Sequence, residues 1–209
     1  MRSQSGADTT VDELIRAARA MAGRRTILGI AGAPGAGKST LGSTLADALG
    51  DQAVVVGMDG FHYTNDELVR LGRRDRKGAP DTFDVHGYIA LLTRLRDDSV
   101  DIYAPAYQRG VGHSISGAVR IPTTTPLVIT EGNYLLLEDG PWSQVRSLLD
   151  ECWYVDLNEK LRIERLIARH IDSGKEPDAA RDWTLGPDQA NAELVARSRS
   201  RADRVIVLP

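Results

Sequence analysis

Gly32-Ala33-Pro34-Gly35-Ala36-Gly37-Lys38-Ser39-Thr40 follows directly on the apolar run Thr26-Ile27-Leu28-Gly29-Ile30-Ala31. Glycine at positions 32 and 37, then lysine and a hydroxyl residue, is the Walker A pattern. Its surroundings supply the required context, an apolar strand before and a helix from Lys38 to Leu49 after. Glycines let a backbone take positive φ and aim its N–H groups at a phosphate, and the start of the following helix adds positive potential. The stretch from Gly32 to Thr40 is therefore expected to cradle a nucleotide, with Lys38 reaching the β- and γ-phosphates and the Ser39 hydroxyl ligating Mg²⁺.

Outward from this loop, the chain reads as strands alternating with helices. A helix over Val11 to Met21 precedes the first strand, and Ala53 to Met58 forms a second, buried strand. Asp59 to Pro80 is too long for a passive connection and is expected to be an acceptor-site insert, with one short helix near Asn65 to Leu71. Asp84 caps a helix running to Arg96, Val100 to Tyr107 is an edge strand or extended loop, and Gly110 to Gly117 is a flexible turn. Leu127 to Thr130 is a strand, Pro141 to Leu149 a helix, Cys152 to Leu157 a strand, and Asn158 to Ile171 an arginine-rich helix. A last helix, Pro187 to Ser198, leads to the strand Arg204 to Leu208. The pattern predicts an α/β fold of the P-loop NTPase kind: three layers, a parallel five-stranded sheet with helices on both faces, a lid helix and the insert. Residues 1–10 are expected to be a flexible N-terminus and 11–209 a single domain.

Composition narrows the field. With 209 residues, 42% apolar and 26% charged, the chain has the balance of an ordinary globular protein, and its net charge of −3 gives no reason to expect nucleic acid or an anionic membrane as partner. Cys152 is the only cysteine, so an intrachain disulfide and a metal held by a cysteine cluster are both excluded. Met1 to Thr10 lacks the apolar core of a signal peptide, and nowhere do 18 uncharged apolar residues run together. A cytoplasmic protein is expected.

A phosphate loop leaves open a kinase, a GTPase switch or a motor ATPase. Asn158-Glu159-Lys160-Leu161 does not supply the base-recognition motif of a GTPase, and no apolar strand ends in the Asp-Glu pair of a motor. Ligands of open parallel sheets bind outside the carboxyl ends of the strands, where Asp59 and Glu131 both stand. Phosphoryl transfer needs a base, a metal and cations over the developing charge. Asp59 fits the base and Glu131 a Mg²⁺ partner. Arg162, Arg165 and Arg169 recur at helical spacing, with Arg165 and Arg169 on one face, expected to close over the transfer together with Lys38. A polar set in and around the insert, His62, Tyr63, Lys77 and Asp84, then Tyr107, Arg109, His113 and Asn133, is expected to hold a small acceptor. The alternative class is a non-catalytic module that senses ATP and acts through a partner.

Together these residues resemble the uridine kinase, phosphoribulokinase and pantothenate kinase superfamily, in particular its bacterial nucleoside/nucleotide kinase-like members, some of them labelled fructose-transport-system kinases. Val56-Gly57-Met58-Asp59-Gly60-Phe61-His62 resembles the family's second-strand segment, Lys77-Gly78-Ala79-Pro80-Asp81-Thr82-Phe83-Asp84 its acceptor loop, and Val128-Ile129-Thr130-Glu131-Gly132-Asn133-Tyr134 its Walker-B-like strand. Pro105 to Arg109 with His113 resembles the segment that meets the acceptor, and Arg201 to Ile206 the turn that contacts adenine. The resemblance implies a kinase using ATP and Mg²⁺, Asp59 as its base, a hydroxyl of a nucleoside, pantothenate-like molecule or sugar as acceptor, and a homodimer by analogy. Asp59-Gly60-Phe61-His62 departs from the Asp-Ser-Phe-Tyr of uridine kinases, so the acceptor stays open.

Overall fold

The computed structural model describes residues 10–97, 99–108 and 111–207. The expected flexible N-terminus lies outside them except for Thr10, as do Arg109 and Leu208. Helix α1 (Val11–Met21) opens with a capping box in which Thr10 and Glu13 exchange side-chain bonds with each other's backbone N–H. Strand β1 (Thr26–Gly32) leads through the glycine loop into α2 (Lys38–Leu49), and β2 (Ala53–Gly57) follows. Then come α3 (Asn65–Arg70), α4 (Val85–Arg94), β3 (Ile102–Gln108), β4 (His113–Ile121), β5 (Leu127–Gly132) and β6 (Glu151–Asp156). Helices α5 (Glu159–Asp172), α6 (Pro177–Trp183) and α7 (Gln189–Ala196) precede the last strand, β7 (Arg204–Val207).

The main sheet has five strands in the order β2-β5-β1-β6-β7, every neighbouring pair parallel, as expected. Because side chains alternate along a strand, β1 feeds two cores. Leu28 and Ile30 pack with Leu14 of α1 and with Leu41 and Leu45 of α2, whereas Ile27 and Ala31 meet Tyr88 and Leu92 of α4 and Val195 of α7. Each fully buried leucine of these layers contributes about 2 kcal/mol. One polar link crosses the second core: Thr130 donates to the Val56 carbonyl at 2.8 Å and meets the Tyr88 hydroxyl at 2.7 Å, tying α4 to β5 and β2.

Three elements differ from expectation. Residues expected as a flexible turn, Gly110 to Gly117, run from His113 onward into β4, which pairs antiparallel with β3 in a separate ribbon; Pro105, lacking an N–H, sits at its register shift. The expected helix from Pro141 to Leu149 is two 3₁₀ turns, Gly140–Gln144 and Arg146–Leu148. Trp142, Val145 and Leu148, three residues apart, all pack into the core, a period that suits 3.0 residues per turn. The last helix starts later than expected, at Gln189, because Pro187 cannot donate an N–H and lies in a widened π turn, Thr184–Asp188, that joins α6 to α7.

Candidate active site

The carboxyl ends of β1, β2 and β5 meet at one open cleft of about 350 Å³. The loop after β1 needs its glycines: Gly35 and Gly37 have φ of +82° and +97°, and a Cβ on Gly35 would come within 3.0 Å of the Arg162 carbonyl oxygen. Gly37 hands over to α2 at Lys38, whose side chain is folded under the loop and buried. Its ammonium donates to the Ala33 carbonyl at 3.0 Å and to Asn133 Oδ1 at 2.7 Å. Ser39 Oγ donates to Glu131 Oε1 at 3.1 Å, the register of β5 placing Glu131 beside Ile30 and Gly57. Asp59 stands on the 3₁₀ turn Met58–Phe61 that ends β2, facing the same cleft.

The insert supplies one wall. The His62 ring lies 3.9 Å from that of Phe83 and 5.0 Å from that of Tyr107, its Nδ1 3.9 Å from Asp59 Oδ1. Lys77 Nζ stands 5.2 Å from the centre of the Tyr107 ring and donates to Asn65 Oδ1 at 2.8 Å and the Gly112 carbonyl at 3.0 Å. Burial, and then the like charge of Arg74, hold the Lys77 ammonium below its usual pKa, with Asp59 pulling the other way. The backbone behind this wall is pinned to an aromatic cluster. The Tyr134 hydroxyl donates to the Gly78 carbonyl and the Trp142 indole N–H to the Pro80 carbonyl at 3.1 Å, and the Phe83 and Tyr134 ring centres lie 5.8 and 5.3 Å from that of Trp142.

The opposite wall comes from α5, α6 and the π turn. Arg169 and His170 line it, His170 Nε2 lying 2.7 Å from Asp188 Oδ2, and Lys175 Nζ sits 4.7 Å from the Trp183 ring centre. Behind it the buried Arg162 donates to the Pro34 carbonyl at 3.3 Å and to Gln189 Oε1 at 2.5 Å, joining the phosphate loop to α5 and α7.

Of the residues expected at the site, Pro34, Lys38, Ser39, Asp59, His62, Lys77, Tyr107, Glu131, Asn133 and Arg169 line this cleft. Four do not. Arg165 is exposed, because the stripe of α5 that meets the loop runs through Arg162, Leu166 and Arg169. Tyr63 follows His62 in an extended segment and so faces the other way. The Asp84 carboxylate accepts from Gly87 N at 2.9 Å, capping α4, and His113 is held opposite Gln108 at the end of the ribbon. Arg109 lies outside the described residues. Arg201, at the start of the turn that resembles the adenine-contacting one, donates to the Leu136 carbonyl and lies 3.3 Å from the Glu138 carboxylate. Asn65, Arg74, Asp188 and Asn191 join the lining through tertiary packing. Two of the wall residues had a local signal: Arg162 its seven-residue separation from Arg169, which places both on one helix face, and Arg74 its place in the basic run Arg73 to Lys77, which reads as a solvated loop or a face for an anion.

The Ser39 hydroxyl and Glu131 carboxylate, already in contact and partly open to the cleft, form a hard-oxygen pair. Mg²⁺ takes such a set, one carboxylate and a hydroxyl with the remaining positions left to water and phosphate. Among the described residues, no helix is long and apolar enough to cross a membrane.

Residues 27–208 match the model of the phosphoribulokinase/uridine kinase family. A protein of Schizosaccharomyces pombe named "Putative uridine kinase C227.14" is 32% identical over 197 residues, which is 88% of this chain and 83% of its own. A pantothenate kinase of Corynebacterium glutamicum is 28% identical over 182 residues, 83% of this chain and 57% of its own. Among solved structures, a "putative fructose transport system kinase" from Silicibacter sp. TM1040 superposes with a TM-score of 0.86 at 34% identity, covering 96% of this chain and all of its own.

Proposed function

The chain belongs to the phosphoribulokinase/uridine kinase family, and from that premise we propose that it is a cytoplasmic, Mg²⁺-dependent kinase that moves the γ-phosphate of ATP to a hydroxyl of a small molecule. The observation that carries this reading is the convergence of Asp59, the Ser39–Glu131 pair and the Lys38–Asn133 pair on one cleft at the ends of three parallel strands. The loop amides and Lys38 hold the triphosphate, and Asn133 fixes the lysine's direction. Asp59 accepts the proton of the acceptor hydroxyl while that oxygen bonds to phosphorus and the bond to the bridging oxygen of ADP breaks. Arg169 offers its charge from the opposite wall. Ser39 and Glu131 would hold the metal, which when bound supplies charge neutralisation at the phosphate oxygens. His62, Tyr107 and Lys77 form the acceptor's wall.

The test is ADP release from Mg-ATP against nucleosides, pantothenate, and free and phosphorylated sugars, with Asp59→Asn run in parallel. One acceptor should raise turnover well above the water background. In the variant kcat should fall by about 10² to 10⁴ with ATP affinity nearly unchanged. A flat panel with intact ATP binding would favour a sensing module instead, and equal loss of turnover and affinity in the variant would remove Asp59 from the role of base.

A further inference from the structure

The basic run Arg73-Arg74-Asp75-Arg76-Lys77 is sorted by the turn it forms. Arg73 and Arg76 turn to Asp81, with Arg73 Nε 3.3 Å and Arg76 Nη2 2.9 Å from its carboxylate, while Arg74 and Lys77, three residues apart, line the cleft. Among the described residues neither Arg74 nor Lys77 has a carboxylate within 4.0 Å. An ammonium has three donors; two of Lys77's go to Asn65 and Gly112, so one remains for the cleft side. Lys77 is half-buried and Arg74 is exposed at the cleft's edge; burial first, and the like charge of Arg74 second, depress the basicity of Lys77, and a group of opposite sign docked on both would offset the repulsion. Across the cleft, by contrast, His170 already faces Asp188.

These cations are also at the acceptor end. Lys38, Arg169 and the loop amides serve the triphosphate, whereas Arg74 and Lys77 come from the segment between β2 and α4. Asp59, His62, Tyr107 and Lys77 succeed one another along the wall in steps of 3.9, 5.0 and 5.2 Å. Resting on the kinase reading above, we propose that the acceptor is an anion: its hydroxyl faces Asp59 while a carboxylate or phosphate of the same molecule docks on Arg74 and Lys77.

Matched pairs of probes test this on the full chain with Mg-ADP: pantothenate against pantothenol, glycerate against glycerol, glucose 6-phosphate against glucose. Calorimetry reads affinity, and ADP release from Mg-ATP reads turnover. At least one charged member should bind at least tenfold more tightly than its neutral partner, the carboxylate and phosphate arms telling which anion is preferred. Arg74→Gln and Lys77→Gln should each reduce that preference about tenfold, with Mg-ADP affinity held within about twofold. Arg70→Gln, which removes an equal charge paired with Glu67 outside the cleft, should leave it unchanged. Lys77 also braces the insert through Asn65 and Gly112, so if its variant misfolds Arg74→Gln decides. Equal affinity within every pair, preference for the neutral members, binding by none, or a charged preference that survives Arg74→Gln each overturns the anion site. The kinase reading fails separately: Arg74-dependent binding of an anion without any ADP release leaves the site and removes the activity, and turnover of neutral acceptors alone does the reverse.

Discussion

Arg162 and Arg165 sit three positions apart on α5 and have opposite circumstances. The first is buried against the phosphate loop; the second is exposed. Arg162→Ala would leave the Pro34 carbonyl and Gln189 without their shared donor, at a cost of about 1 to 3 kcal/mol, and loosen the loop from the helix. Steady-state kinetics and thermal melts of the two variants should give Arg162→Ala a lower Tm and a KM for ATP raised about tenfold, and Arg165→Ala a Tm and KM close to the parent's; equal effects would reverse the assignment. At this scale the glycine loop, Asp59 and Glu131 were legible because each is announced by its own neighbours, a glycine pattern or the end of an apolar strand. Which arginine of α5 meets the loop depends on how the helix is rotated against the sheet, and the sequence around Asp84 suits a cap and a ligand equally, the folded chain making it a cap through its bond from Gly87.

Among the elements, the 3₁₀ turn that carries Asp59 is wedged against the ribbon. A Cβ on Gly60 would collide with the Pro105 carbonyl, which is backbone and cannot swing aside, so either the turn or β3 must move. Gly60→Ala is therefore expected to lower kcat by about a hundredfold through displacement of Asp59 while ATP affinity stays within about threefold of the parent. Stopped-flow nucleotide binding beside kcat separates the two, and loss confined to nucleotide binding would show that the wedge does not position the base. The strands and helices of the main sheet were legible in the chain because their apolar periods are long and local. The ribbon was not: β4 is largely exposed, its glycines mimic a turn, and only pairing with β3 makes it a strand.

For the molecule as a whole, packing on both sheet faces buries protons as well as carbon. Burial pushes the Cys152 thiol up to about 12 and raises the Tyr88, Tyr134 and Tyr154 hydroxyls above the usual tyrosine range. The folded state thus keeps protons that the unfolded chain releases, so this contribution is complete below about pH 9 and is lost as pH rises toward 12. Urea midpoints should fall between about pH 8 and about pH 10.5, less steeply in Tyr88→Phe; a flat profile would contradict the burial of these groups. The layered architecture was legible because alternation along β1 forces two cores, whereas the cleft's far wall depends on chain segments distant in sequence. The aromatic cluster under the insert has one more consequence, an optical one. The three tryptophans occupy three stations: Trp142 beneath the insert, Trp183 on the cleft, and Trp153 in the opposite core bonded to Glu151 at 2.7 Å. Ligand entry should alter the emission of the first two and leave the third constant, so Trp153→Phe would give an enzyme that reports occupancy of its own site without an added dye.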